Sequence, residues 1–206
     1  MRKLFEECKP ELKLEHKVTE VDYSGSEVKV TTEKGIFKGK YIINALPLGI
    51  LQQEKVTFLP ELPAIVKSKL RGMGNGVANK LLISCETPFW GKRKGWINFI
   101  TKSNDNPYPV GYVLPYKDRH ILCVFVSGSY SLELSKMSDE EAIKHFCEFV
   151  RKFMKEDVKV RAFKLTRWQE DSHALGSYSY CSVGHDHESF SELMSRPVEG
   201  KVWFAG

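Results

Sequence analysis

The sequence predicts an α/β plus α+β fold, and three observations carry that expectation. A run of alternating apolar and polar residues from Leu12 to Ala45 has the period of half-buried strands. At Ser138 the pattern changes to three- and four-residue apolar spacing, which marks an amphipathic helix set between strands. The ending, Lys201-Val-Trp-Phe-Ala-Gly206, has the pattern of a buried strand arriving at a glycine turn.

Turn signals at Ser24-Gly25 and Lys34-Gly35 divide the first run into short strands, a β-meander. Its last strand, Lys40 to Leu46, is more continuously apolar, as a strand covered on both faces would be, and it stops at Pro47. A short helix is expected from Leu62 to Met73, started near Pro63 and ended by Gly72 and Gly74. Strands follow at Val77 to Ser84, Val110 to Leu114 and His120 to Val126. Ser138-Asp-Glu-Glu141 is a capping box, and its helix places Ala142, Ile143, Phe146, Val150, Phe153 and Met154 on one face. Val158 to Trp168 returns to strand character, and the Gly-, Ser-, Tyr- and His-rich stretch up to Val198 is expected to be irregular. A final strand that meets a glycine with no element after it leads to the expectation of a truncated chain.

With 206 residues, 42% apolar and 28% charged, the chain has ordinary globular composition and room for one or two domains. Its 31 basic and 26 acidic residues leave +5, spread along the chain, which argues against direct nucleic-acid binding. Five separated cysteines without a Cys-x-x-Cys pair fit reduced thiols. No apolar run approaches the roughly 20 residues of a membrane span, and the charged start is unlike a signal peptide. The expectation is an intracellular protein, cytoplasmic or nuclear, with no membrane partner.

Some motifs favour bland explanations. Gly72-Met-Gly74-Asn-Gly76-Val77 lacks the sixth-position glycine of the dinucleotide fingerprint and runs helix, glycines, strand, so it reads as a helix stop. His185-Asp186-His187-Glu188, near Cys181, is one His-x-His pair in a polar loop, and no metal is expected there. Nothing marks one thiol as an activated nucleophile.

Three segments together say more. They are Asn44-Ala-Leu-Pro-Leu-Gly-Ile-Leu51 with Phe58-Leu-Pro-Glu-Leu-Pro63, then Gly72 to Lys80 leading to Phe89-Trp90, then Arg167-Trp168, Gly176-Ser-Tyr-Ser-Tyr180 and Trp203-Phe-Ala-Gly206. In order and spacing the chain from about Leu12 to Gly206 resembles the flavin amine oxidases, the family of polyamine oxidases, monoamine oxidases and lysine-specific histone demethylases. On chemistry alone, Lys80 would be a surface lysine, Trp168 a core residue and Tyr178 a loop anchor. The resemblance implies instead that Lys80 holds a water beside the flavin and assists reoxidation, as a preorganised cation can. It implies that Trp168 borders the flavin ring, that Tyr178 flanks both flavin and substrate amine, and that Ser177 contacts the cofactor. Val18, Leu46 with Pro47, and Gly206 match further cofactor contacts, and His173 sits on the substrate side where several relatives carry an aromatic.

The resemblance also implies a partial FAD-binding Rossmann-like domain from residues 1–50 and 166–206, and a mixed-sheet substrate-binding domain from residues 51–165. The expected activity is oxidation of an amine by hydride transfer to FAD. The imine then hydrolyses and oxygen reoxidises the flavin to give peroxide. A polyamine is the first-ranked small-molecule substrate and a methylated lysine the second. The family's Gly-x-Gly-x-x-Gly segment is absent, so the missing N-terminal part of the same domain is an expected partner beside the amine and oxygen, and the chain alone is not expected to be active. The alternative is a flavin-free remnant acting as an interaction domain.

Overall fold

The computed structural model describes residues 2–90, 95, 97–98, 112–116, 120–185 and 187–205. In chain order the elements are α1 (Arg2–Cys8), β1 (Val18–Asp22), β2 (Val28–Thr32), β3 (Gly35–Gly39), β4 (Ile42–Asn44), α2 (Leu48–Gln52), β5 (Thr57–Leu59), α3 (Ala64–Gly72) and β6 (Met73–Asn75). There follow β7 (Ala78–Cys85), β8 (Ile97–Asn98), β9 (Tyr112–Tyr116), β10 (Ile121–Ser127), α4 (Gly128–Lys136), α5 (Asp139–Met154), β11 (Val160–Leu165), β12 (Ser179–Cys181), α6 (His187–Ser195) and β13 (Val202–Phe204). The chain divides into two compact units, one of Met1–Leu46, Ile50–Gly72 and Gly184–Gly206, the other of Pro47–Gly49 and Met73–Val183. No helix among the described residues is long and apolar enough to cross a membrane.

In the first unit a mixed sheet has the order β3-β2-β1-β5, with β1 antiparallel to β2 and parallel to β5. Val21 and Val28 are buried from its alternating strands, as are Tyr23 and Phe58. Strand β4 does not extend this meander. It pairs in parallel with β13, Ile42 through Asn44 lying opposite Val202 through Phe204. Its consecutive apolar residues belong to a parallel pair, a pattern that an alternation argument cannot distinguish from one more meander strand.

The second unit is built on an antiparallel sheet of order β11-β7-β10-β9-β8. Strand β7 alternates between core and outer face, burying Leu81, Ile83 and Cys85 against Leu122, Val124 and Val126 of β10. Helix α5 closes that core with Phe146, Phe149 and Val150. Each such side chain contributes about 1.5–3 kcal/mol on burial. Its capping box is complete: Ser138 Oγ accepts the Glu141 N–H at 3.2 Å, and the Glu141 carboxylate accepts the Ser138 N–H at 2.8 Å.

The departures from expectation have local causes. Helix α4 buries Ser131, Leu134 and Ser135, so two of its three inward residues are polar and hydrophobic period does not reveal it. Helix α6 falls in the stretch expected to be irregular; Phe190 is its one buried side chain among those described. The strand expected to run to Trp168 ends at Leu165, and Trp168 lies in the segment after it. Of the strand expected at Val110 to Leu114, residues 110 and 111 lie outside the described residues and the rest belong to β9.

Candidate functional site

The second unit gathers Lys80, Trp168, Ser177 and Tyr178 by main-chain and side-chain hydrogen bonds. Lys80 lies on β7 and Thr166 just after β11, in adjacent antiparallel strands. The Thr166 N–H donates to the Lys80 carbonyl at 3.0 Å, and Thr166 Oγ1 accepts the Lys80 N–H at 2.9 Å. Lys80 is thereby fixed at both main-chain groups.

Asn79, its neighbour, is 1% exposed and faces the other way. Its Oδ1 accepts the Trp168 N–H at 3.0 Å and the Thr166 hydroxyl at 3.2 Å. Its Nδ2 donates to Ser131 Oγ and Ser135 Oγ, both at 3.0 Å, and to Gln169 Oε1 at 3.1 Å. Arg167 anchors the same segment from the other side, donating to the carbonyls of Ser135 and Met137 at the end of α4 and pairing with Asp139 at 2.7 Å.

The segment beyond Trp168 turns back and is laced to residues 75–78. The Gly176 N–H donates to the Trp168 carbonyl at 2.9 Å. Asn75 Nδ2 donates to the Leu175 carbonyl at 2.7 Å. Ser177 Oγ donates to the Gly76 carbonyl at 2.7 Å and accepts the Ala78 N–H at 2.9 Å, while the Gly76 N–H donates to the Tyr178 carbonyl at 2.6 Å. This approach needs glycine: a Cβ on Gly76 would stand 2.8 Å from the Tyr178 carbonyl oxygen, and one on Gly74 would enter the Tyr180 ring. The glycines read as a helix stop do end α3 at Gly72, and the other two seat residues 178–181. On the opposite side of the turn, a Cβ on Gly49 would collide with the carbonyl oxygen of Leu175 and come within 2.7 Å of that of Ala174.

These side chains are open to bind something. Trp168 is 40% exposed and Tyr178 56%, large fractions for aromatic residues held by so many main-chain bonds. The Lys80 ammonium lies 4.9 Å from the centre of the Phe125 ring and has no carboxylate partner among the described residues. It also acts on Cys123: burial pushes that thiol's pKa up, and the lysine charge opposes the shift. His173 is exposed in the turn, its N–H donating to Asp171 Oδ1 at 2.8 Å. Pro47, exposed, belongs to this unit by packing.

Val18 and Leu46 lie in the first unit. Val18 opens β1 opposite Thr32, and the Leu46 N–H donates to Asn44 Oδ1 at 3.0 Å. The Nδ2 of Asn44, buried at the end of β4, has no hydrogen-bond partner among the described residues. Gly206 lies outside the described residues, as does Asp186 of the His-x-His stretch. Neither Asn79, Thr166 nor Gly49 was singled out in the sequence. Asn79 stands inside the segment Gly72 to Lys80 without a role of its own there, and only pairing between distant strands reveals its partners and those of Thr166.

A family model for flavin containing amine oxidoreductases matches residues 2–206. Polyamine oxidase 2 of Arabidopsis thaliana is 29% identical over 200 residues, covering 95% of this chain and 40% of its own length. Lysine-specific histone demethylase 1 homolog 1 of Oryza sativa subsp. japonica is 27% identical over 196 residues, 92% of this chain and 23% of that protein. The chain thus spans well under half the length of either relative. Among solved structures, cyclohexylamine oxidase from Brevibacterium oxydans superposes with a TM-score of 0.73 at 20% identity, over 94% of this chain and 42% of its own, a likeness of fold.

Proposed function

Since the chain belongs to the flavin containing amine oxidoreductase family, we propose that it serves in the oxidation of an amine C–N bond, with FAD as cofactor, as part of a longer polypeptide. The carrying observation is the lacing of residues 166–178 onto residues 75–80, which ties Lys80, Trp168, Ser177 and Tyr178 to one framework. A polyamine is the preferred substrate and a methylated lysine the second, since polyamine oxidases and histone demethylases both stand among the relatives.

The residues fit a flavin by the chemistry they offer. Trp168 presents a half-open indole to a flat ring system, and Lys80 a cation not committed to a carboxylate among the described residues. Asn44 offers a buried donor with no acceptor among the described residues, two residues from Leu46. A bound flavin would supply the two-electron acceptor for amine oxidation, with oxygen as the final acceptor. Lys80 then stabilises negative charge developing beside it. Trp168 would border the ring and Tyr178 would orient the amine, its ring face also favouring a cation on approach. His173 lies on the substrate side, while Val18, Leu46, Pro47, Ser177 and Gly206 are the remaining cofactor contacts. No general base is required if the amine binds neutral.

Residues 1–50 and 166–206 serve the flavin-binding domain in this reading and residues 51–165 the substrate domain. A further N-terminal segment of the same domain completes the cofactor site. The β4–β13 pair supports that: Ile43 is 70% exposed and its partner Trp203 37%, whereas parallel strands are ordinarily covered on both faces. The test is to express the full natural reading frame and look for oxidised-flavin absorbance, then add spermine or a dimethyl-lysine peptide without oxygen. Bleaching by spermine supports the first substrate class and bleaching by the peptide the second. A folded, colourless protein rejects the reading in favour of a flavin-free interaction domain.

A further inference from the structure

We propose that Asn79 is a positioning residue whose buried carboxamide sets the placement of Trp168 relative to Lys80. A strand residue 1% exposed within an otherwise apolar face would ordinarily be Val, Leu or Ile. Here the amide is fully used. Its oxygen accepts from the Trp168 main chain and the Thr166 hydroxyl, and its two hydrogens are shared among the oxygens of Ser131, Ser135 and Gln169. One side chain therefore joins β7, α4 and the segment after β11.

Besides the peptide bond that joins Asn79 to Lys80, the two are linked across the strands through one atom. Thr166 Oγ1 donates to Asn79 Oδ1 and accepts from the Lys80 N–H, so the two strands are held in one register at the place where the segment bearing Trp168 departs. Without the carboxamide oxygen, the Trp168 N–H has lost its acceptor. The Trp168 main chain then keeps the Gly176 bond to its carbonyl, and its neighbour Arg167 keeps its bonds to the carbonyls of Ser135 and Met137. The buried amide resists apolar replacement because Ser131 and Ser135 on α4 would be left facing a hydrocarbon. This role rests on the proposed reading, which turns Lys80 and Trp168 toward a flavin.

Two substitutions separate acceptor geometry from packing. Asn79→Asp keeps the acceptor of the Trp168 N–H. The Ser131 hydroxyl can turn to donate to the new oxygen, and so can Gln169 by presenting its Nε2, which is buried without a partner among the described residues. Asn79→Leu keeps the volume and removes the acceptor. The full 206-residue chain is labelled with nitrogen-15 and fluorotryptophan and studied by NMR without flavin. In Asn79→Leu the Trp168 amide is expected to exchange about tenfold faster and the Trp168 fluorine signal to broaden or split, with Trp90 and Trp203 unchanged. Asn79→Asp is expected to restore both signals.

If Asn79→Leu leaves the Trp168 signals as in the parent, or if Asp fails where Leu succeeds, the proposal is overturned. Should the Leu variant not fold, Thr166→Val decides. Faster exchange at Lys80 with Trp168 still protected through Asn79 supports the clamp, and no change at Lys80 overturns it. As no flavin is present, failure here removes the clamp alone, whereas a full-length protein without flavin absorbance removes the reading beneath it.

Discussion

Thr166 holds Lys80 by both main-chain groups, giving its N–H to the Lys80 carbonyl at 3.0 Å and taking the Lys80 N–H on its hydroxyl oxygen at 2.9 Å. The strand is thus fixed while the ammonium, over the Phe125 ring, stays outside any ion pair among the described residues. A cation that rests on an aromatic face, outside any ion pair among the described residues, suits charge stabilisation in a reaction. Lys80→Met in the flavin-loaded protein should slow reoxidation by oxygen about a hundredfold, with unfolding unchanged. Stopped-flow absorbance after anaerobic reduction measures it, and an unaltered rate removes Lys80 from its role.

Gly49 is required by close approach rather than by backbone angle. A methyl there meets the Leu175 and Ala174 carbonyls, which are main chain and cannot swing aside. Gly49→Ala should destabilise the protein by about 1–3 kcal/mol, read as a lower urea midpoint. A midpoint within error of the parent would contradict the packing.

The α5 capping box gives a pH dependence of defined sign. The Glu141 carboxyl is held below its ordinary value of 4.5 by the Ser138 N–H and hydroxyl. A lowered folded pKa means this stabilisation is fully present above the unfolded value and fades as pH falls through the folded one. Ser138→Ala should cost about 1 kcal/mol at neutral pH. The gap between parent and variant should narrow below pH 4.5. Thermal melts across that range test it, and a gap that widens in acid would be wrong in sign.

The thiols should divide by burial. Desolvation pushes Cys85 up to about 11, and Cys123 is raised from the same cause, while Cys8 and Cys181 are exposed. Iodoacetamide at mild alkaline pH should label Cys8 and Cys181 first and leave Cys85 unlabelled while the protein is folded. Mass spectrometry of the peptides reads the order, and early labelling of Cys85 would show that its core opens.

Much of the frame was legible in the sequence because its signals are local. The capping box at Ser138, the helix stop at Gly72 and the dense run before Val126 are each set by neighbouring residues, and each falls where the pattern put it. Strand β4 pairs with β13 across most of the chain, a choice that the composition of either strand leaves open. Helix α4 was hidden because its inward face is serine, and those serines turn inward to meet Asn79. The same contact explains why the candidate site was only half visible. Lys80, Asn79 and Trp168 stand within motifs, but the bonds that join them, Asn79 to Trp168 and Thr166 to Lys80, reach more than eighty residues along the chain.

The most direct measurement is a crystal structure of the flavin-loaded full-length protein. The account predicts the Lys80 ammonium beside the isoalloxazine, Trp168 along its border and Tyr178 over the amine-binding side. A flavin seated elsewhere, or any of these three side chains turned away from it, would contradict the account.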